Sequence, residues 1–225
     1  MANVLTFSCT HAPCMRGDYV RFLKAQYKKW NCNRVVMLGD LVDWASISYH
    51  PKAPSLRDSE LEYERALAQV KTIYRAFPKV DWLIGNHDAL SERQALDANL
   101  PMAIFLKYKQ MWGVDGWKVH PRYHSIVIDD VIYQHGDKGR YGKINAGFLN
   151  AQDEHRSVVQ GHLHAQLGVN YFANQHNRIF GMQVGCGVDA SHAAAAYGKR
   201  YNQKPINGCG VVLKGVTAIT IPMNL

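Results

Sequence analysis

Five of the eleven histidines, His11, His87, His135, His162 and His164, stand beside Gly, Asp, Asn or a second His where an apolar run stops. One histidine so placed is more often a satisfied core or surface group than a ligand. Five at the ends of successive runs are hard to explain by packing and mark a site. In Gly85-Asn86-His87-Asp88, directly after Trp82-Leu83-Ile84, an amide oxygen and an imidazole stand side by side, able to serve a metal and a substrate at once. Imidazole and carboxylate donors point to Zn, Fe or Mn rather than to Ca or Mg. His162 and His164 face the same side of an extended segment or, if the loop turns, two different ions. Two adjacent ions need an anionic bridge, for which Asp40, after Gly39, is the best candidate. Ions ~3.5–4 Å apart can activate water and clamp phosphoryl oxygens, so hydrolysis of a phosphate ester is the chemistry that fits.

These residues need elements to carry them. Residues 4–7, 35–38 and 81–84 read as buried strands, with helical spacing over 18–30 between the first two and over 55–77 before the third. Such a strand–helix–strand order predicts parallel βαβ pairing, which lines up the carboxyl ends of the strands on one edge, where ligands bind. Residues 89–112 read as one or two helices broken near Pro101. After Gly116 the rhythm changes: strands at 124–128 and 131–134 joined by Asp129-Asp130, a helix over 142–152, then strands at 157–160, 167–172, 179–184, 210–214 and 218–222. The hairpin predicts a second, partly antiparallel sheet. No linker divides the chain, and a single domain over residues 1–225 is expected. The one low-complexity run is Ala193 to Ala196.

Composition narrows the class. A hydrophobic fraction of 47% and a charged fraction of 20% are those of a globular protein and exclude general disorder. Five cysteines form no C-x-x-C pair and no secretory signal precedes them, so reduced thiols in a cytoplasmic protein are expected. No apolar run approaches the ~18 residues of a membrane span. The net charge of +8 favours anionic partners, although no Lys/Arg run concentrates it and a basic solvated surface explains it equally well.

Cys9-Thr10-His11, Gly39-Asp40, Gly85-Asn86-His87-Asp88, His135-Gly136 and Gly161-His162-Leu163-His164 together resemble the ordered motifs of calcineurin-like metallophosphoesterases. The resemblance covers residues 9 to 164. The later segments Gly181-Met182-Gln183-Val184-Gly185-Cys186-Gly187 and Asn207-Gly208-Cys209-Gly210 are similar to a subgroup associated with bacteriophage genomes, which would place the protein in host cytoplasm. The fold it implies is α/β, a four-layer α/β/β/α sandwich with two mixed sheets. It also implies two divalent or trivalent metal ions: one held by His11, Asp40, His164 and residue 9, the other by Asp40, Asn86, His135 and His162. His87 would contact the phosphate and protonate the leaving oxygen, and Asp88 would orient its ring. The expected substrate is a phosphate ester, with a phosphodiester of nucleotide or nucleic-acid type preferred over a phosphomonoester or phosphoprotein.

The match breaks at its first residue, where the family has aspartate and this chain has Cys9. A thiolate is a competent ligand for Zn or Fe and disfavours Mn and Mg. Either Cys9 ligates the first metal, or it is a small buried residue beside a weak first site and the enzyme works with one firmly held ion. A covalent cysteine mechanism would need an anion-binding loop that Ser8 and Thr10 do not supply. The rival reading from another class is a non-catalytic nucleic-acid- or protein-binding module on a degenerate scaffold, against which His87 and Asp88 stand intact. Lys138 and Arg140, after His135-Gly136, are placed to meet phosphate oxygens, with a solvated charge run as the alternative. Asp43 and His50 either contact substrate or water or sit at the surface. Asp189 closes the site or belongs to a turn, and Cys14, Cys32, Cys186 and Cys209 read as buried thiols.

Overall fold

The periodicities become four layers in the structure, a computed structural model that describes residues 1–140, 142–192 and 202–224. The run Ala193 to Ala196 lies outside the described residues. The first sheet has the order β11-β10-β1-β2-β3-β4. In it β1 (Asn3–Phe7), β2 (Arg34–Met37), β3 (Asp81–Leu83) and β4 (Lys118–His120) are parallel neighbours, and β10 (Gly208–Leu213) and β11 (Thr217–Pro222) add antiparallel strands. The second sheet has the order β5-β6-β7-β9-β8. There β6 (Val131–Gln134), β7 (Ser157–Gln160) and β9 (Arg178–Val184) run parallel, flanked by antiparallel β5 (Ile126–Ile128) and β8 (Leu167–Ala173). Both sheets are mixed.

Alternation along each strand builds the layers. Val4, Val36, Leu38, Leu83 and Val212 meet Val131, Tyr133, Val159, Met182 and Val184 between the sheets. Their sequence neighbours Leu5, Phe7, Val35, Met37, Trp82 and Val211 face the other way, onto Tyr19 and Leu23 of α1 (Tyr19–Lys29) and Ala66, Val70 and Ile73 of α2 (Ser59–Ala76). On the far side Ile132 and Val158 pack with Ala151 of α5 (Ala146–Asp153). Each such fully buried aliphatic or aromatic side chain contributes about 1.5–3 kcal/mol, and two apolar faces per strand make a single-layer sheet untenable.

Element ends differ from the reading at identifiable places. The second helix starts at Ser59 rather than 55, because Pro54–Leu56 forms a 3-10 turn and Asp58 then caps the helix, accepting from Leu61 N at 2.9 Å. Residues 142–152 are helical only from Ala146, after Gly142 and Asn145 take positive φ of 73° and 60°. The stretch 89–112 contains α3 (Leu90–Asp97), a 3-10 turn at Met102–Ile104 and α4 (Tyr108–Trp112). Strand β4 was not anticipated; three residues carry too little alternation to reveal it. Among the described residues no helix is long and apolar enough to cross a membrane.

Candidate metal centre

Parallel pairing puts the carboxyl ends of β1, β2 and β3 side by side, and those of β6 and β7 opposite them across the inter-sheet core. The loops leaving these strands converge. The ligand atoms of Cys9, His11, Asp40 and His164 lie within 4.8 Å of one another, and so do those of Asp40, His135 and His162. Asp40 belongs to both groups. Within them His11 Nε2 lies 3.1 Å from His164 Nε2 and 3.8 Å from Asp40 Oδ2. His135 Nε2 lies 3.3 Å from Asp40 Oδ2 and 3.0 Å from Asn86 Oδ1.

The backbone is bent to make this possible. Cys9, His11, Asp40 and His162 have φ of 52°, 46°, 55° and 67°, left-handed values that cost non-glycine residues roughly 1–3 kcal/mol each and that cluster at functional sites. Two glycines supply the space. A Cβ on Gly39, at φ 95°, would sit 2.6 Å from His135 Nδ1, and one on Gly85 would collide with the Asp40 carboxylate.

Hydrogen bonds then aim the rings. His135 donates from Nδ1 to the Leu38 carbonyl at 2.6 Å and turns Nε2 toward Asp40. His11 Nδ1 meets Asp43 Oδ1 at 2.8 Å, which does the same for its Nε2. The Asp43 backbone carbonyl accepts from His87 Nδ1 at 2.8 Å, its carboxylate lies 3.3 Å from the same nitrogen, and the His87 backbone N–H donates to Asp40 Oδ1 at 2.8 Å. Asp88, expected to orient His87, does something else. Its carboxylate accepts from the backbone N–H groups of Asp40, Val42 and Gly85 at 2.8, 3.1 and 2.9 Å and from Trp82 Nε1 at 3.3 Å. Asp88 therefore ties the loops after β2 and β3 together, and Asp43 holds the ring. The signal for Asp43 was present as the last residue of Gly39-Asp40-Leu41-Val42-Asp43, but its two histidine partners lie 32 and 44 residues away.

Charge is arranged with equal care. Burial, together with the charge on His135, lowers His162 to about 4, and burial together with His11 lowers His164 to about 3. Burial also opposes charge on His135 and His87, but Asp40, with Asp43 for His87, outweighs it and raises them to about 9 and about 10. Against its own burial, Asp40 is held well below the carboxylate range, chiefly by His135. Burial and the neighbouring Asp40 push the Cys9 thiol well up, with its Sγ 3.0 Å from Ser8 Oγ. His162 Nδ1 is buried without a hydrogen-bond partner. The neutral imidazoles of His162 and His164, the ionised buried carboxylate of Asp40 and the unpartnered ring nitrogen of His162 fit a transition-metal ion, to which His135 would give up its Nε2 proton on binding.

Other candidates lie elsewhere. The Arg140 guanidinium pairs with Asp153 at 2.7 and 3.1 Å, and Lys138 Nζ donates to the Tyr123 carbonyl at 2.9 Å. Neither pairing is with a residue of the cluster. His50 is exposed in the loop after β2. Asp189 accepts from the N–H and hydroxyl of Ser191, a turn as its alternative reading had it. Cys14, Cys32, Cys186 and Cys209 are buried free thiols.

Solved structures are similar to this chain to different degrees. A metallophosphoesterase from Sphaerobacter thermophilus is 14% identical, with 99% of this chain and 88% of that chain covered and a TM-score of 0.53. Vacuolar Protein Sorting 29 from Cryptosporidium parvum is 15% identical over 99% of this chain and 96% of that one, at a TM-score of 0.48. A nuclease MPE from Pseudomonas putida is 14% identical over 98% and 87%, at 0.36. The first likeness is one of fold: this chain has the α/β architecture of a metallophosphoesterase, with two mixed sheets and flanking helices. No family model matches the chain, and no curated protein matches it in sequence.

Proposed function

We propose that the protein is a metal-dependent phosphoesterase of the calcineurin-like type, built as one domain around a dinuclear site. The observation that carries this reading is that two clusters of ligand-type atoms share the single buried carboxylate of Asp40. Cys9, His11, Asp40 and His164 would hold one ion, and Asp40, Asn86, His135 and His162 the other. When bound, such a pair polarises phosphoryl oxygens and lowers the pKa of water. The chain's own residues do the rest. His87 would give the proton on Nε2 to the leaving oxygen, while Asp43, accepting from Nδ1 on the other side of the ring, fixes the ring's orientation. Asp88 holds the Asp40 amide, so that the shared carboxylate keeps its position between the two groups.

The substrate we favour is a phosphodiester of nucleotide or nucleic-acid type, supported by the net charge of +8. Activity should be measured on Zn-, Fe- and Mn-loaded protein with bis-p-nitrophenyl phosphate, p-nitrophenyl phosphate, cyclic nucleotides and single- and double-stranded DNA. Diester hydrolysis that disappears with chelator is the expected result. Preference for the monoester overturns the diester assignment. Absence of any cleavage by metal-loaded protein that still binds DNA in a salt-dependent way overturns catalysis in favour of a binding module.

A further inference from the structure

Three glutamines occupy the same level of three adjacent parallel strands: Gln134 of β6 is in register with Gln160 of β7, and Gln160 with Gln183 of β9. All three are buried. They lie on the outer face of the second sheet, the face on which Ile132 and Val158 pack under α5. An apolar layer would ordinarily continue there. Instead the carboxamides form a directed chain. Gln160 Oε1 accepts from Gln134 Nε2 at 3.1 Å and from Asn150 Nδ2 of α5 at 2.7 Å, and Gln160 Nε2 donates to Gln183 Oε1 at 3.2 Å. Gln183 Nε2 donates to the carbonyl of Gly161, and Asn150 Oδ1 accepts from the Arg140 backbone N–H at 2.9 Å.

The ends of this chain fall next to the candidate ligands. Gln134 immediately precedes His135, and Gln160 immediately precedes Gly161 and His162. The Gly161 peptide is gripped on both sides, its N–H donating to the His135 carbonyl at 2.9 Å and its C=O accepting from Gln183. Gly161 admits no side chain, because a Cβ would collide with Ser8 Oγ. The residue it then presents, His162, is the one at φ 67° with the unpartnered Nδ1. No comparable chain of buried side-chain amides reaches Cys9, His11 or His164 among the described residues.

The geometry points to the Gln134–Gln160–Gln183 ladder, locked by Asn150, as the positioning device of the second metal half: it holds His135 and His162 at their mutual spacing and so sets the affinity of that half for its ion. These are positioning residues, since none of them is itself one of the clustered ligand-type residues. The inference rests on the proposed dinuclear site and deepens it. Outer partners of metal ligands typically change affinity about 10–100-fold when removed, and a ladder shared by two ligands belongs in that range.

The test is a two-step titration of metal-stripped full-length protein with Zn²⁺ and with Mn²⁺, followed by calorimetry and by metal content after dialysis. Three proteins are compared: wild type, Gln160→Met, which keeps the length of the side chain and removes its hydrogen bonds, and Val158→Ala, which weakens packing on the same face of the same strand. The expected result for Gln160→Met is a 10–100-fold loss in the Asn86-side equivalent, the one that Cys9→Ala leaves filled, with the other equivalent unchanged. Val158→Ala should lower Tm while leaving both affinities within twofold. If Gln160→Met fails to fold, Gln183→Met, which removes the grip on Gly161 and the Gln160–Gln183 bond but leaves Gln134 and Asn150 on Gln160, is read the same way. Wild-type-like binding by Gln160→Met, or equal losses in Val158→Ala, overturns the ladder's role alone. A wild type that takes up fewer than two equivalents overturns the dinuclear reading and the ladder with it.

Discussion

The half of the centre formed by Asn86, His135 and His162 and the half formed by Cys9, His11 and His164 share Asp40 but are held by different means. In the first, His135 is pinned to the Leu38 backbone carbonyl, and the peptide before His162 is gripped from both sides. Its candidate donors are amide oxygen, carboxylate oxygen and imidazole nitrogen. In the second, His11 is aimed by the side chain of Asp43, and Cys9 lies against Ser8 with a thiol that burial keeps protonated. One candidate donor there is the Cys9 sulfur. Rigid hard donors select on geometry, whereas a thiolate selects on softness, so the two halves should prefer different ions. On the proposed dinuclear reading, one carboxylate would join two sites whose selectivity is set independently, one by its supports and one by a single atom.

The largest expected effect comes from removing what the halves share. Asp40→Asn should abolish uptake of both ions and lower phosphoesterase activity by about 10⁴-fold or more, about 5.4 kcal/mol at 1.36 kcal/mol per decade. Retention of either ion at wild-type affinity would break the bridging assignment. His87→Gln should cost about 10²–10⁴-fold on esters of alkyl alcohols, the range for losing a general acid, and far less on p-nitrophenyl esters, whose leaving group departs without a proton. Equal losses on the two substrate types would remove His87 from that role.

Cys9→Asp and Cys9→Ala sharpen the contrast directly. With Cys9 a ligand, the aspartate variant should move metal preference from Zn toward Mn, and the alanine variant should lose one equivalent while the Asn86 side stays filled. An unchanged metal count in Cys9→Ala sinks the ligand assignment. The pH dependence of the metal-free protein tests both halves at once. His87 and His135, raised above the ordinary value near 6.5, stabilise the fold fully below that pH and lose the contribution as pH rises through about 10 and about 9 respectively. His162 and His164, depressed, stay uncharged in the fold and destabilise it as pH falls from 6.5 toward about 4 and about 3. Thermal melts of stripped protein should therefore fall on both flanks of neutrality, and metal should flatten the curve; a stripped protein with a flat profile contradicts this. The smallest effect is expected for Lys138→Ala and Arg140→Ala, whose charges are engaged at Tyr123 and Asp153. KM should change by roughly twofold or less, as for surface substitutions worth about 0.5 kcal/mol.

What the sequence by itself determined is the set of strand-end residues. A βαβ pattern obliges consecutive parallel strands to end on one edge, so His11, Asp40 and Asn86 were legible as neighbours before any coordinates. The hairpin at Asp129-Asp130 likewise announced a second sheet, and helix starts and the three-residue β4 were the parts that local pattern carried least. Only the tertiary structure decided how the side chains pair. Asp88 stands beside His87 in sequence yet turns to the amides of Asp40, Val42 and Gly85, while Asp43, 44 residues away, takes the ring. The glutamine ladder was invisible for the same reason: Gln134 and Gln160 end β6 and β7, Gln183 stands one residue before the end of β9, each isolated in sequence, and only sheet register makes three of them one object. Local sequence dictates where a backbone turns, but hydrogen bonds form between whatever atoms the packed layers bring within about 3 Å, and that is a property of the whole fold.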